Sequence, residues 1–156
     1  MKKIDLGQTI AILANIGVFL GILLLVYELN QNRELAAAQI RNEIAQASAE
    51  IMRGEAQDAE LLDVSMRGIA GEPLTPLELE RFQLYWLSYF QLWQNAHFQY
   101  RAGLYDEREY ESQRTAWARL LARPGIRMLW CSPRGVGEKP ADFASEVNSL
   151  LREPCE

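Results

Sequence analysis

The sequence predicts an all-α chain in which a single transmembrane helix at the N-terminus continues into a soluble α-helical bundle. Three observations predict it. Ile10 to Tyr27 is a run of eighteen residues without a charge, and at 1.5 Å per residue it covers about 27 Å, close to the hydrocarbon thickness of a bilayer. Further on, apolar residues recur every three or four positions and no segment alternates as a strand does. Gly, Pro and capping residues then divide the rest into lengths that suit helices.

The apolar run differs from a secretory signal. Lys2 and Lys3 give it a positive start, but a signal core spans about 7 to 15 residues and ends near a small-x-small site. Here the first such triplet, Ala36-Ala37-Ala38, comes only after Tyr27, Glu28, Arg33 and Glu34. The run is therefore read as a retained anchor, with residues 1–30 as tail and span and residues 31–156 as one soluble helical domain. That second part is long enough for one ordinary core and too short for two.

After Tyr27 no helix breaker occurs before Gly54, so the membrane helix is expected to run straight on into the soluble part. A shorter helix is expected around Asp58 to Ala70, closed by Gly71 and Pro73. Thr75-Pro76-Leu77-Glu78 then reads as an N-cap, a proline at the first helical position and a glutamate that completes a capping box. The helix it opens runs to Ala102, with Gly103 as its stop, and holds Phe82, Tyr85, Trp86, Tyr89, Phe90, Trp93, Phe98 and Tyr100. It should be the pillar of the core. It has no charge between Arg81 and Arg101, yet Gln83, Ser88, Gln91, Gln94, Asn95, His97 and Gln99 are too polar for a second span. Asp106 should cap a helix to about Leu121, and Arg123-Pro124-Gly125 should break it. A short turn over Ile126 to Trp130, a loop from Ser132 to Gly137 and a final amphipathic helix over Pro140 to Arg152 complete the order.

The net charge of -5 lies almost wholly after the anchor. Nucleic acid is excluded as a partner, because phosphate binding needs a concentrated basic face. Acidic residues dominate from Glu43 to Glu80 and arginines from Arg101 to Lys139, so the two segments are expected to lie side by side and neutralise one another in part. Cys131 and Cys155 fit no zinc spacing, and the sequence leaves open whether they pair. Lys2 and Lys3 before the span balance Arg33 and Arg41 after it, so the positive-inside rule gives near equality and no topology follows from charge.

Two sets of residues are candidates for association. Gly17 and Gly21 form a GxxxG, with Ala14 and Asn15 one turn earlier; small residues let two helices approach closely in lipid, and an asparagine can bridge them. Ala37, Ile40, Ile44, Ala47 and Ile51 form one apolar stripe, which packs either on a second copy or on the chain's own later helices. Trp86, Tyr89, Trp93 and His97 are the candidate lining of a pocket for a small apolar ligand, although aromatic residues at this spacing commonly form plain core. His97 is the single histidine and sits in a setting that favours a hydrogen-bonded structural role. No nucleophile elbow, di-metal motif or phosphate loop occurs; Gly135-Val136-Gly137 follows no strand. No catalytic residue, metal or cofactor is assigned.

The exit from the span, Val26-Tyr27-Glu28-Leu29-Asn30-Gln31-Asn32-Arg33, and the text Gln94-Asn95-Ala96-His97-Phe98-Gln99-Tyr100-Arg101-Ala102-Gly103-Leu104 resemble a group of short uncharacterised bacterial membrane proteins with one N-terminal transmembrane helix and an all-helical soluble domain. The resemblance covers nearly the whole chain. It implies the bacterial inner membrane as the location, with a slight lean to a cytoplasmic helical domain, and carries no activity. The function expected from all of this is non-enzymatic: a single-pass, membrane-anchored interaction or scaffold protein that forms a homo-oligomer, with membrane lipid and another membrane-protein subunit as its partners. The alternative is an anchored sensor or accessory subunit that holds a small apolar ligand in its aromatic pocket.

Overall fold

The computed structural model describes residues 6–132 and 138–155. Among these the chain is all helix: α1 (Leu6–Gln57), α2 (Ala59–Ala70), α3 (Pro76–Arg101), α4 (Glu107–Leu121), α5 (Pro124–Cys131) and α6 (Ala141–Ser149). The loop expected over Ser132 to Gly137, with its Gly135-Val136-Gly137 triplet, lies outside the described residues from Pro133 onward. The chain divides into two units, Met1–Gln39 and Ile40–Glu156, a boundary nearer the C-terminus than the one at Asn30 read from the apolar run.

The first unit is the apolar part of α1. Its best eighteen-residue window has a mean hydropathy of 2.6, and none of that window is buried. Ile10, Leu13, Phe19, Leu24 and Tyr27 are each more than half exposed. A helix that is apolar on every side belongs inside a protein core or inside a bilayer, and this one is long and apolar enough to cross a membrane. The helix also runs through Gly54 and ends only at Gln57. One glycine costs about 1 kcal/mol in a helix interior, too little to stop it.

The second unit is built around α3. Thr75 caps it through the Glu78 amide while the Glu78 carboxylate accepts from the Thr75 amide at 2.7 Å, so the capping box closes as the sequence implies. Phe82, Trp86, Phe90, Trp93 and His97 follow at steps of four, four, three and four, which puts them on one stripe, and all are buried. Phe90 meets Trp93 edge to face at 5.2 Å between ring centres, and Trp93 stacks on Trp117 of α4 at 5.1 Å. Each such ring contributes about 1.5–3 kcal/mol through its removal from water. Ile44 of α1, Val64 of α2, Tyr110 and Leu121 of α4, Leu129 and Trp130 of α5, and Phe143 and Val147 of α6 complete the core.

α2 and α5 touch backbone to backbone. Gly68 and Gly125 are both buried, and the ring of Phe82 fills the space beside Gly68. The sequence pattern Arg123-Pro124-Gly125 does break the chain after α4, which ends at Leu121, and it is also the start of α5: Pro124 takes the first turn, where its missing N–H is no loss, and Gly125 brings α5 against α2. α2 ends in a left-handed Gly71 with φ 79°, whose N–H bonds back to Gly68 O at 3.0 Å.

α2 and α5 bring part of the acidic and basic segments side by side, while the following ion pairs have other partners. Arg67 binds Asp63 and Glu78, and Arg81 binds Asp58 and Glu60, so the acidic stretch is served by its own Arg67 and by Arg81 of α3. Arg101, Arg114 and Arg127 reach Asp142, Glu146 and Glu153 in the C-terminal segment. Cys131, the last residue of α5, is joined to Cys155 in a disulfide with Cα atoms 5.3 Å apart. The tail is held there a second time by Arg127, which donates to Pro154 O at 3.1 Å.

Candidate functional site

A cavity of about 770 Å³ lies in the second unit, walled by the last turns of α1, by α3 and by α4. Its aromatic wall is Trp86, Tyr89 and Trp93 from α3, Trp117 from α4, and Tyr105 from the turn before α4. The opposite wall comes from α1, with Ile44, Ala45, Ser48 and Met52. Both walls follow from the helical period: 86, 89 and 93 share one side of α3, and 41, 44, 48, 52 and 55 share one side of α1. The size is within the range of about 300–1,000 Å³ typical of small-molecule sites.

Polar groups stand around this apolar wall. Arg41 pairs with Glu109 at 2.6 Å. Glu55 of the lining accepts from the Tyr85 hydroxyl at 2.5 Å, and the Tyr89 hydroxyl lies 3.3 Å from that of Tyr85. Since Tyr85 has a single proton and the carboxylate holds it, the bond between the two phenols has Tyr89 donating to the Tyr85 oxygen. Burial pushes both phenols above their ordinary value of 10, with Glu55 adding to the rise. Both remain donors at any physiological pH. Gln113 donates to the Tyr105 hydroxyl at 2.5 Å. The indole Nε1 of Trp86 is buried and has no acceptor, a state that costs about 1–3 kcal/mol.

His97 is absent from this lining. It faces a smaller cavity of about 380 Å³ with Gln94, Asn95, Asp142 and Phe143. Its Nδ1 is hydrogen-bonded to the Tyr110 hydroxyl at 2.6 Å, and its Nε2 is buried with no hydrogen bond, 3.7 Å from Asp142 Oδ2. Burial, and next the nearby Glu146, push the Tyr110 phenol upward. The arrangement is that of a core histidine held by a phenol.

Of the sequence-selected pocket residues, three of four therefore come together. Ile44 of the apolar stripe is 3% exposed in the core, with Ile40 packed against it. Ala47 and Ile51 are half-buried. Ala14, Asn15, Gly17 and Gly21 are exposed, and nothing lies within 4 Å of a Cβ placed on either glycine. Ala37 belongs to the first unit. Sequence reasoning missed Arg41, Glu55, Tyr105, Glu109 and Trp117 as pocket residues. The signal for Trp117 was its seven-residue step from Tyr110 and four-residue step to Leu121; the charged residues gave none, because any surface helix carries such groups.

Among the described residues no group of three or more His, Cys, Asp or Glu side chains is placed to hold a metal. No protein-family model, curated protein or solved structure matches the chain.

Proposed function

We propose that this chain is a single-pass, membrane-anchored binding subunit that holds a small apolar ligand between α1, α3 and α4 of its helical domain, without catalysing a reaction. The groove carries this reading: about 770 Å³, partly open to solvent, with a wall of five aromatic residues. Its volume is that of a small-molecule site, and its apolar wall favours a ligand held against it. Native mass spectrometry of the full chain, released gently from nanodiscs, tests it. A retained small molecule of defined mass, lost in Trp93→Ala, is the expected result; a bare polypeptide mass at every release energy, together with no uptake of added apolar probes, counts against it.

The disulfide favours the oxidising side of a bacterial inner membrane for the helical domain, since cytosolic thiols are kept reduced. It weighs against the cytoplasmic lean of the sequence, where the charge count was nearly even. A fusion of alkaline phosphatase, which folds only where disulfides form, checks the side: activity of a C-terminal fusion is expected, and an inactive fusion that is well expressed reverses the assignment.

Association in the membrane is the second reading, favoured by the open faces of Gly17 and Gly21 on a helix with no part of its apolar window buried. Two copies joined there would display two ligand domains from one anchor pair.

A further inference from the structure

We propose that the ligand of the cavity between α1, α3 and α4 is an apolar organic cation, received by the aromatic wall and the Glu55 carboxylate. This rests on the reading of that cavity as a ligand site and specifies its chemistry.

The charge of the lining carries the argument. Three ionised residues line the cavity: Arg41, Glu55 and Glu109. Arg41 and Glu109 neutralise each other at 2.6 Å. Glu55 is left over. It accepts a hydrogen bond from the Tyr85 phenol at 2.5 Å, and no cationic side chain pairs with it among the described residues. A phenol lends a proton but not a charge, so the lining keeps one net negative charge beside an apolar wall.

The wall itself has the complementary property. The faces of Trp86, Tyr89, Trp93, Tyr105 and Trp117 are negative at their centres, and a cation held over such a face within about 6 Å gains about 0.5–2 kcal/mol, more when water is displaced. A carboxylate ligand would meet the uncompensated charge of Glu55 and is disfavoured. A neutral apolar ligand gains from burial alone. An organic cation gains from burial, from the rings and from Glu55 together, without the heavy dehydration cost of a compact ammonium ion, because its charge is spread under alkyl groups.

The test uses the full chain in nanodiscs of zwitterionic phosphatidylcholine, with benzyltrimethylammonium and its uncharged carbon isostere neopentylbenzene as probes. Binding is read from quenching of intrinsic tryptophan fluorescence, with free probe corrected against empty nanodiscs. The cation is expected to bind roughly tenfold more tightly than the isostere, and Glu55→Gln, which keeps an acceptor for Tyr85, is expected to narrow that gap to the part the rings supply while the isostere's affinity stays. Tyr85→Phe, which strips Glu55 of its phenol, should widen the gap. Equal binding of the two probes overturns the charge assignment and leaves the apolar ligand site standing. A gap that is undiminished in Glu55→Gln, or one that does not widen in Tyr85→Phe, overturns the role of Glu55. If neither probe binds, the ligand site itself falls.

Discussion

A methyl group added at Gly125 would lie 1.7 Å from the carbonyl oxygen of Gly68, so α2 and α5 are in contact through bare backbone. No rotamer relieves such a clash, because the obstacle is main chain. Gly125→Ala is predicted to destabilise the domain by about 2–3 kcal/mol, as overpacking of a tight core does. Gly54→Ala is the internal control: its added carbon meets nothing within 4 Å, and the helix should gain about 0.5–1 kcal/mol. Chemical unfolding followed by circular dichroism measures both. Equal midpoints for Gly125→Ala and the parent would remove the close approach from the account.

Acid should weaken the start of α3. Arg67, then the amide and hydroxyl of Thr75, hold the Glu78 carboxyl at about 2, below its ordinary 4.5. The folded value is the lower one, so the stabilisation is complete above pH 4.5 and disappears as pH falls through about 2. Glu78→Gln is predicted to melt at a lower temperature than the parent at pH 7, with the two curves converging between pH 4.5 and 2. A difference that stays constant over that range would separate Glu78 from the effect.

Reduction should loosen the C-terminal tail. The disulfide closes a loop of 24 residues between Cys131 and Cys155, which corresponds to about 3 kcal/mol of chain entropy removed from the unfolded state. Cys155→Ser is predicted to lower the unfolding midpoint in non-reducing buffer and to leave it unaffected by dithiothreitol. If the parent itself shows no response to dithiothreitol while its thiols become labelled, the bond contributes nothing to stability.

Gly17→Ile and Gly21→Ile place branched side chains on the open face of the span. Each is predicted to shift detergent-solubilised protein toward smaller species in analytical ultracentrifugation, with the helical signal of the domain unchanged. An unchanged sedimentation profile for both variants would move the contact away from that face.

Helix order was legible in the sequence because its signals are local: the Thr75-Pro76-Leu77-Glu78 start, the Gly71 and Gly103 stops and the aromatic stripe of α3 each act within a few residues. The charged lining of the cavity was not. Arg41 and Glu109, or Glu55 and Tyr85, meet only once distant helices are packed, and nothing in their neighbourhood along the chain marks them. Pro124-Gly125 shows the same limit from the other side. Its residues do break the chain after α4, and the same Pro124 opens α5, whose close seat on Gly68 only the packing reveals. His97 was grouped with Trp93 by its four-residue step, yet α6 and Tyr110 draw it to another cavity, since a helix face is wide enough to serve two neighbours.

All four indoles, Trp86, Trp93, Trp117 and Trp130, belong to the second unit, and the apolar run of α1 has none. Tryptophan emission from this molecule therefore originates outside the apolar N-terminal segment. The Trp93 and Trp117 rings, stacked at 5.1 Å, are close enough for their excited states to couple, which makes the pair a native optical gauge of helix separation, usable in intact vesicles without attaching a dye.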